Sequence, residues 1–102
     1  MISLKHRQTL SFHCEAFKQD GAVFPLTGFN VSARARLKDS DTSVVSYLID
    51  NGIVWKDQAN GTFRIDFDSA PLIPGNYYLF DIKYDNGAVI EYSPTVMIEV
   101  KP

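Results

Sequence analysis

The side chains best suited to chemistry in this 102-residue chain are one cysteine, two histidines and a close pair of aspartates: Cys14, His6, His13, Asp66 and Asp68. Nucleophilic catalysis needs a thiolate beside an oriented base. Cys14 lies on the apolar side of an alternating segment, where a buried thiol remains protonated. Neither histidine has a second metal ligand at a recognisable spacing. We therefore predict a structural cysteine, two surface histidines, and no catalytic residue, metal or cofactor.

Asp66 and Asp68 are two residues apart and share one face of a strand, which would allow an acid–base pair. A structural explanation is favoured. Arg34 and Arg36 share the polar side of segment 29–38, which neighbours segment 62–68 if the second and fifth strands pair as in an immunoglobulin-type sandwich. Opposite charges across a ladder contribute about 0.2–1 kcal/mol per pair. We therefore expect solvated ion pairs between these arginines and aspartates.

A further motif, Asp39-Ser-Asp-Thr42, contains an Asp-x-Asp that could contact Ca²⁺. It lacks the glycine and the distal glutamate of an EF-hand loop, so we interpret it as a turn held by its own side chains. The sequence has neither a glycine-rich phosphate loop nor a Gly-x-Ser-x-Gly elbow.

The aromatic residues Tyr47, Trp55 and Tyr77 are candidates for a contact surface. Tyrosine and tryptophan are enriched in interface cores, and aromatic rings in strands also form stacking platforms. The segment Val44–Ile49 has only one polar residue, which suits a strand covered on both faces or one beside an interface. If the three rings are exposed together, they mark either a protein interface or a glycan-binding surface.

Strands must position these residues, because apolar side chains recur at every second position. In segment 29–38, for example, Val31, Ala33 and Ala35 alternate with Ser32 and Arg34. The sequence predicts no helix and about seven strands, the last with a break near Pro94. The predicted ranges are 8–17, 29–38, 43–50, 52–57, 62–68, 76–85 and 88–101.

Turn signals separate these segments. Asn86-Gly87 is the strongest hairpin signal and Asn51-Gly52 the next, because these residues accept the positive φ of tight turns. Leu72-Ile-Pro-Gly-Asn-Tyr77 opens a strong strand, and a tyrosine after such a corner can bond its hydroxyl back to the backbone. We predict an all-β, immunoglobulin-like antiparallel β-sandwich, one domain over residues 1–102 with residues 1–7 as an N-terminal arm.

Composition narrows the function classes further. Ten lysines and arginines against 12 aspartates and glutamates give a net charge of −2, so we expect no nucleic-acid or membrane partner. A single cysteine excludes an intrachain disulfide. No apolar run approaches the ~20 residues of a membrane span, and the N-terminus lacks the apolar stretch of a signal peptide. We expect a protein made in a cell and kept there, or assembled into something larger without secretion.

Several motifs together resemble a family of small proteins of tailed bacteriophages and prophages, similar to the immunoglobulin-like N-terminal domain of the phage baseplate upper protein. They are Gln8-Thr-Leu-Ser-Phe12, Asp20-Gly21, Pro25-Leu-Thr-Gly28, Val31-Ser-Ala-Arg-Ala-Arg-Leu37, Asn60-Gly-Thr-Phe63, Pro74-Gly-Asn-Tyr-Tyr-Leu-Phe-Asp-Ile-Lys-Tyr84, Asp85-Asn-Gly87, Tyr92-Ser-Pro-Thr-Val96 and Ile98-Glu-Val100.

The resemblance implies a non-enzymatic structural protein of a phage tail or baseplate, made in the bacterial cytoplasm. Such a protein would act as an adaptor or docking module for other phage structural proteins, or for further copies of itself. The family supplies no catalytic residues to carry over. The alternative is a carbohydrate-binding β-sandwich module that uses Tyr47, Trp55 and Tyr77 as stacking faces.

Overall fold

The computed structural model describes residues 1–18, 20–40 and 42–102, and this part of the chain is all-β. Alternating apolar residues form nine strands, with no helix among the described residues. The strands are β1 (Ile2–Lys5), β2 (Thr9–Glu15), β3 (Asn30–Leu37), β4 (Ser43–Ile49), β5 (Gly52–Asp57), β6 (Thr62–Asp68), β7 (Tyr77–Asp85), β8 (Ile90–Tyr92) and β9 (Val96–Lys101).

The structure has two strands more than the seven predicted from the sequence. The predicted break near Pro94 divides the last segment into β8 and β9. Strand β1 is new, since residues 1–7 were expected to form an arm. It pairs in parallel with β9, from Ile2 opposite Ile98 to Lys5 opposite Lys101. Four residues are too few to show a period of two, and their partner lies at the other end of the chain.

The strands form one curled, mixed sheet in the order β1-β9-β7-β3-β4-β5-β6-β2, and β8 pairs with β7 beside this path. The neighbours β4 and β5 meet over only two residue pairs, Leu48 with Gly52 and Ile49 with Ile53, and they run parallel there. This narrow junction divides the sheet into a larger part, β1-β9-β7-β3-β4 with β8, and a smaller part, β5-β6-β2.

Aromatic side chains join the two parts across the core. Phe80 of β7 lies 5.6 Å from Phe67 of β6 and 6.1 Å from Phe12 of β2, measured between ring centroids. Phe63 of β6 lies 6.2 Å from Tyr84 of β7. The predicted alternation is confirmed in β6, where Phe63, Ile65 and Phe67 are fully buried. The curled sheet therefore folds over one apolar core.

Two of the Asn-Gly turns connect antiparallel strands as expected, and the hairpin predicted at a third is wrong. Asn86-Gly87 joins the antiparallel β7 and β8, and Asn60-Gly61 lies between the antiparallel β5 and β6. Asn51-Gly52 was expected to close a hairpin, but the flanking strands β4 and β5 pair in parallel and the chain crosses between the two parts of the sheet. Gly52 has a φ of 95°, and a β-carbon at this position would collide with the Tyr47 ring.

The corner before β7 holds the hydrogen bond expected there, but from a different tyrosine. The backbone N–H of Ile73 donates to the hydroxyl of Tyr78 at 2.8 Å. Tyr78 is 1% exposed, whereas Tyr77 points to the opposite side of β7. Because side chains alternate along a strand, only one of two adjacent tyrosines can reach back under the corner.

Candidate docking surface

The structure does not bring Tyr47, Trp55 and Tyr77 to one surface. Tyr47 is 8% exposed, and its ring lies 5.7 Å from that of Phe67. Its hydroxyl accepts a hydrogen bond from the backbone N–H of Asp68 at 3.1 Å, and burial raises its pKa. Tyr47 therefore belongs to the core and not to a contact surface.

Trp55 and Tyr77 also differ from each other in their surroundings. Trp55 is half-buried and packs edge-on against Phe63, on the inner side of the sheet. Tyr77 is 40% exposed on the outer side and donates its hydroxyl proton to Glu99 at 2.9 Å. That hydrogen bond is the main cause of the raised pKa of Tyr77. No flat aromatic platform is formed by these rings.

The residues suited to catalysis are also separated. Cys14 is half-buried on the inner side of β2, and burial raises the pKa of its thiol to about 11. His13 faces outward, opposite Arg64 and diagonal to Asp66 on the neighbouring β6. Both His13 and Asp66 are exposed on an open sheet face and not in a cleft. Among the described residues, no three or more His, Cys, Asp or Glu side chains are placed to hold a metal ion.

The expected ion pairs between the two arginines and the two aspartates are wrong. Arg34 lies 3.5 Å from Asp81 of β7, and Arg36 donates to the carbonyl of Ser40. The cause is the strand order, because β6 lies between β2 and β5 and does not touch β3. Segment 29–38 is the third strand in chain order, and its neighbours in the sheet are β4 and β7.

Asp66 and Asp68 find local partners instead. Ser11 on β2 donates to Asp66 at 2.9 Å, Arg64 forms an ion pair with it, and these contacts lower its pKa. Asp68 accepts the backbone N–H of Ala70 at 2.9 Å. In the Asp39–Thr42 motif, Asp41 lies outside the described residues. The N–H of Thr42 is bound by the Ser40 hydroxyl, as in the predicted turn.

The best candidate for a contact surface is the solvent-exposed side of β4, β3, β7 and β8, which we call the outer face. Leu48 on β4 is 55% exposed and Tyr92 on β8 is 60% exposed. Between them lies a shallow depression of about 350 Å³. The ion pair of Arg34 and Asp81 lies in it, and Lys83 lies beside that pair. The exposed or partly exposed lining residues are Ser32, Arg34, Ser46, Leu48, Asp81, Lys83 and Tyr92, and the buried Ala33 and Tyr47 contribute only to the floor of the depression.

This arrangement suits protein contact more than catalysis. Apolar side chains at both ends can be buried by a partner, and a mixture of charges between them can fix its orientation. The sequence left open whether Val44–Ile49 is covered on both faces or lies beside an interface, and the exposure of Leu48 rules out cover on both faces. Tyr92 carried no such signal, because its neighbours across the sheet come from distant parts of the chain.

Comparison with known proteins yields no family for this chain: no family model matches it, and no curated protein matches it. Among the described residues there is no helix with the length and apolar character that a membrane crossing requires.

Proposed function

We propose that this chain is a non-enzymatic structural protein of a tailed phage or prophage, a docking module associated with the tail or baseplate. The resemblance in sequence motifs supports this proposal. The module acts through protein–protein contacts, and the exposed apolar pair Leu48 and Tyr92 on the outer face carries the proposal.

We also propose that the curled sheet is an immunoglobulin-like sandwich. Its strand order supports this, because β2-β6-β5 corresponds to the B-E-D order of such folds and β9-β7-β3-β4 to G-F-C-C′. The hydrogen bond from Ile73 to Tyr78 lies at the corner between the E-like and F-like strands, where these folds carry a tyrosine corner.

The outer face is the part of this sandwich most suited to a partner. Monomeric surfaces tolerate single exposed apolar residues, but here two of them flank one depression. Complete burial of a leucine side chain supplies about 1.5–3 kcal/mol, and the 55% of Leu48 that is exposed supplies a corresponding fraction, to which the exposed part of Tyr92 adds. A partner therefore needs apolar groups at two points and polar groups opposite Arg34 and Asp81.

Immunogold labelling of intact particles tests the proposed location. An antibody against this chain should label tails or baseplates, and particles without label would overturn the location. Reconstitution tests the surface. Purified protein should bind particles assembled without it, and Leu48→Asp should reduce that binding at least tenfold.

Val54→Asp is the matched control, because Val54, like Leu48, is an exposed apolar strand residue, 39% exposed, on β5 in the smaller part of the sheet. If both variants bind equally well, the outer face is not the docking surface.

A further inference from the structure

The short strand β8 has one edge without a partner among the described residues. In its ladder with β7, the N–H of Asn86 donates to the carbonyl of Val89, and the N–H of Ser93 donates to the carbonyl of Ile82. Hydrogen-bonded and non-hydrogen-bonded residue pairs alternate along an antiparallel ladder. The hydrogen-bonded pair between these two is therefore Tyr84 with Glu91. The N–H and C=O groups of the flanking Ile90 and Tyr92 therefore point away from β7.

A groove of about 910 Å³ adjoins this edge, between β8 and the end of β2. Phe24 and Tyr84 form its apolar base, with their rings 6.2 Å apart. Phe17 lies at the opposite rim and is 56% exposed. A free strand edge beside an apolar groove is the arrangement to which an extended peptide adds as a strand.

Charge indicates what kind of strand fits. Glu91 lies on the same side of β8 as the groove, because it is opposite the inward-facing Tyr84. Glu15 lies on the other rim, and neither glutamate has an ion pair within the described ranges. Lys18 offsets one of these charges. With two glutamates against one lysine, the groove therefore carries a net negative charge.

A second copy of this chain fits this edge poorly. A symmetric pairing of two β8 strands that uses both Ile90 and Tyr92 places Glu91 directly opposite Glu91 of the other copy. Like charges directly opposite each other destabilise a ladder. A lysine or arginine opposite Glu91 would instead form a favourable contact with its carboxylate.

We propose that the free edge of β8 binds an extended segment of another protein, which carries a lysine or arginine opposite Glu91 and apolar side chains for the groove. This inference deepens the proposed function, because it names the chemistry of one partner. The edge and the outer face adjoin at Tyr92, but Ile90→Pro tests only the backbone edge and Leu48→Asp only the outer face, so each can fail without the other.

A capped heptapeptide, Thr-Val-Thr-Lys-Thr-Val-Thr, is a suitable probe, because alternation places its lysine and both valines on one side. In a titration followed by amide NMR, the N–H signals of Ile90 and Tyr92 should shift and should become protected from exchange. The same peptide N-methylated at the threonines on each side of the lysine should not bind. Equal binding of the methylated peptide, or shifts that map elsewhere, would overturn the proposal.

Two protein variants separate the edge from the charge. Ile90→Pro removes an outward N–H and leaves the ladder to β7 intact, so it should abolish binding without loss of the folded NMR spectrum. Glu91→Gln should weaken binding about two- to fivefold. Asp68→Asn removes the same charge at the far end of β6 and should change binding little.

The outcomes are distinguishable from failure of the proposed function. Unlabelled phage particles together with specific peptide binding would overturn the phage location and keep the strand site. Labelled tails with no effect of Ile90→Pro on peptide binding would keep the location and overturn the strand site.

Discussion

The backbone N–H of Ile73 and the hydroxyl of Tyr78 are joined by a 2.8 Å hydrogen bond across the corner that precedes β7. Tyr78 is buried at 1% exposure, while its neighbour Tyr77 is on the other side of the strand and bonds to Glu99. The two adjacent tyrosines therefore have different structural roles. One ties the corner to the core, and the other joins β7 to β9 on the surface.

Tyr78→Phe should destabilise the protein by about 1–2 kcal/mol, because it removes the acceptor for the Ile73 N–H and keeps the buried ring. Tyr77→Phe is the matched control, since it removes a hydrogen bond at an exposed site, and it should cost less than about 0.5 kcal/mol. Urea unfolding followed by Trp55 fluorescence measures both. Equal losses for the two variants would contradict the assignment of the corner bond to Tyr78.

Gly52→Ala should be markedly more destabilising than Gly87→Ala. Both glycines have a positive φ, 95° and 90°, so both alanine variants carry backbone strain of about 1–3 kcal/mol. Only at Gly52 does the added methyl group also collide with a side chain, the Tyr47 ring. A thermal or urea unfolding series reports the difference. Similar losses would show that Tyr47 moves aside at no cost.

The local features of this fold could be predicted from the sequence, and its long-range pairing could not. Alternation in 62–68 and the Asn86-Gly87 turn are properties of adjacent residues, and both predictions are confirmed. Strand β1 depends on a partner almost a hundred residues away, so its four residues gave no local signal. The neighbours of Arg34 and Asp66 are set by long-range pairing in the same way, β3 with β4 and β7, and β6 with β2 and β5.

The candidate site was likewise predictable only where it depends on adjacent residues. The apolar character of Val44–Ile49 left two alternatives, a strand covered on both faces or one beside an interface, and the exposure of Leu48 excludes cover on both faces. The orientation of Tyr47 could not be inferred, because it depends on the approach of β6 from across the core. Tyr92 joins the outer face only because β8 pairs with β7.

Leu4→Ala tests whether residues 2–5 form a strand of the core or a solvated arm. Leu4 is 2% exposed, so its truncation should cost about 2–5 kcal/mol in a urea titration. Leu48→Ala provides the same chemical change at a 55% exposed position and should cost less than about 0.5 kcal/mol. A loss at Leu4 as small as that at Leu48 would show that β1 contributes nothing to stability.

The thiol of Cys14 should react slowly at neutral and mildly alkaline pH. Its pKa is raised from 9.0 to about 11, so at pH 8 the thiolate fraction is about a hundredfold below that of an unperturbed thiol. The rate with a disulfide reagent should be lower by a similar factor, and unfolding in urea should restore it. Equal rates in folded and unfolded protein would place Cys14 in solvent.

The same pKa shift gives stability a definite pH dependence. The folded-state pKa is the higher one, so the protonated thiol stabilises the fold below pH 9, and this contribution is lost as pH rises from 9 to about 11. The stability difference between the wild type and Cys14→Ala should therefore narrow over that range. Tyr84, whose pKa is raised to about 12 by burial and by the Cys14 charge, titrates mainly above this range.

Carbohydrate binding through Trp55 should be absent, and Trp55 itself reports on this. Its ring is half-buried against Phe63, while Tyr47 is in the core and Tyr77 is on the opposite side of the sheet, so no two of these rings can stack on one sugar chain. Titration with cell-wall polysaccharides should leave Trp55 fluorescence unchanged. A saturable shift of Trp55 fluorescence, together with sedimentation of the protein by insoluble polysaccharide that survives Tyr77→Phe but is lost in Trp55→Phe, would show that the half-buried indole contacts glycan, and it would favour the carbohydrate-binding alternative over the docking module.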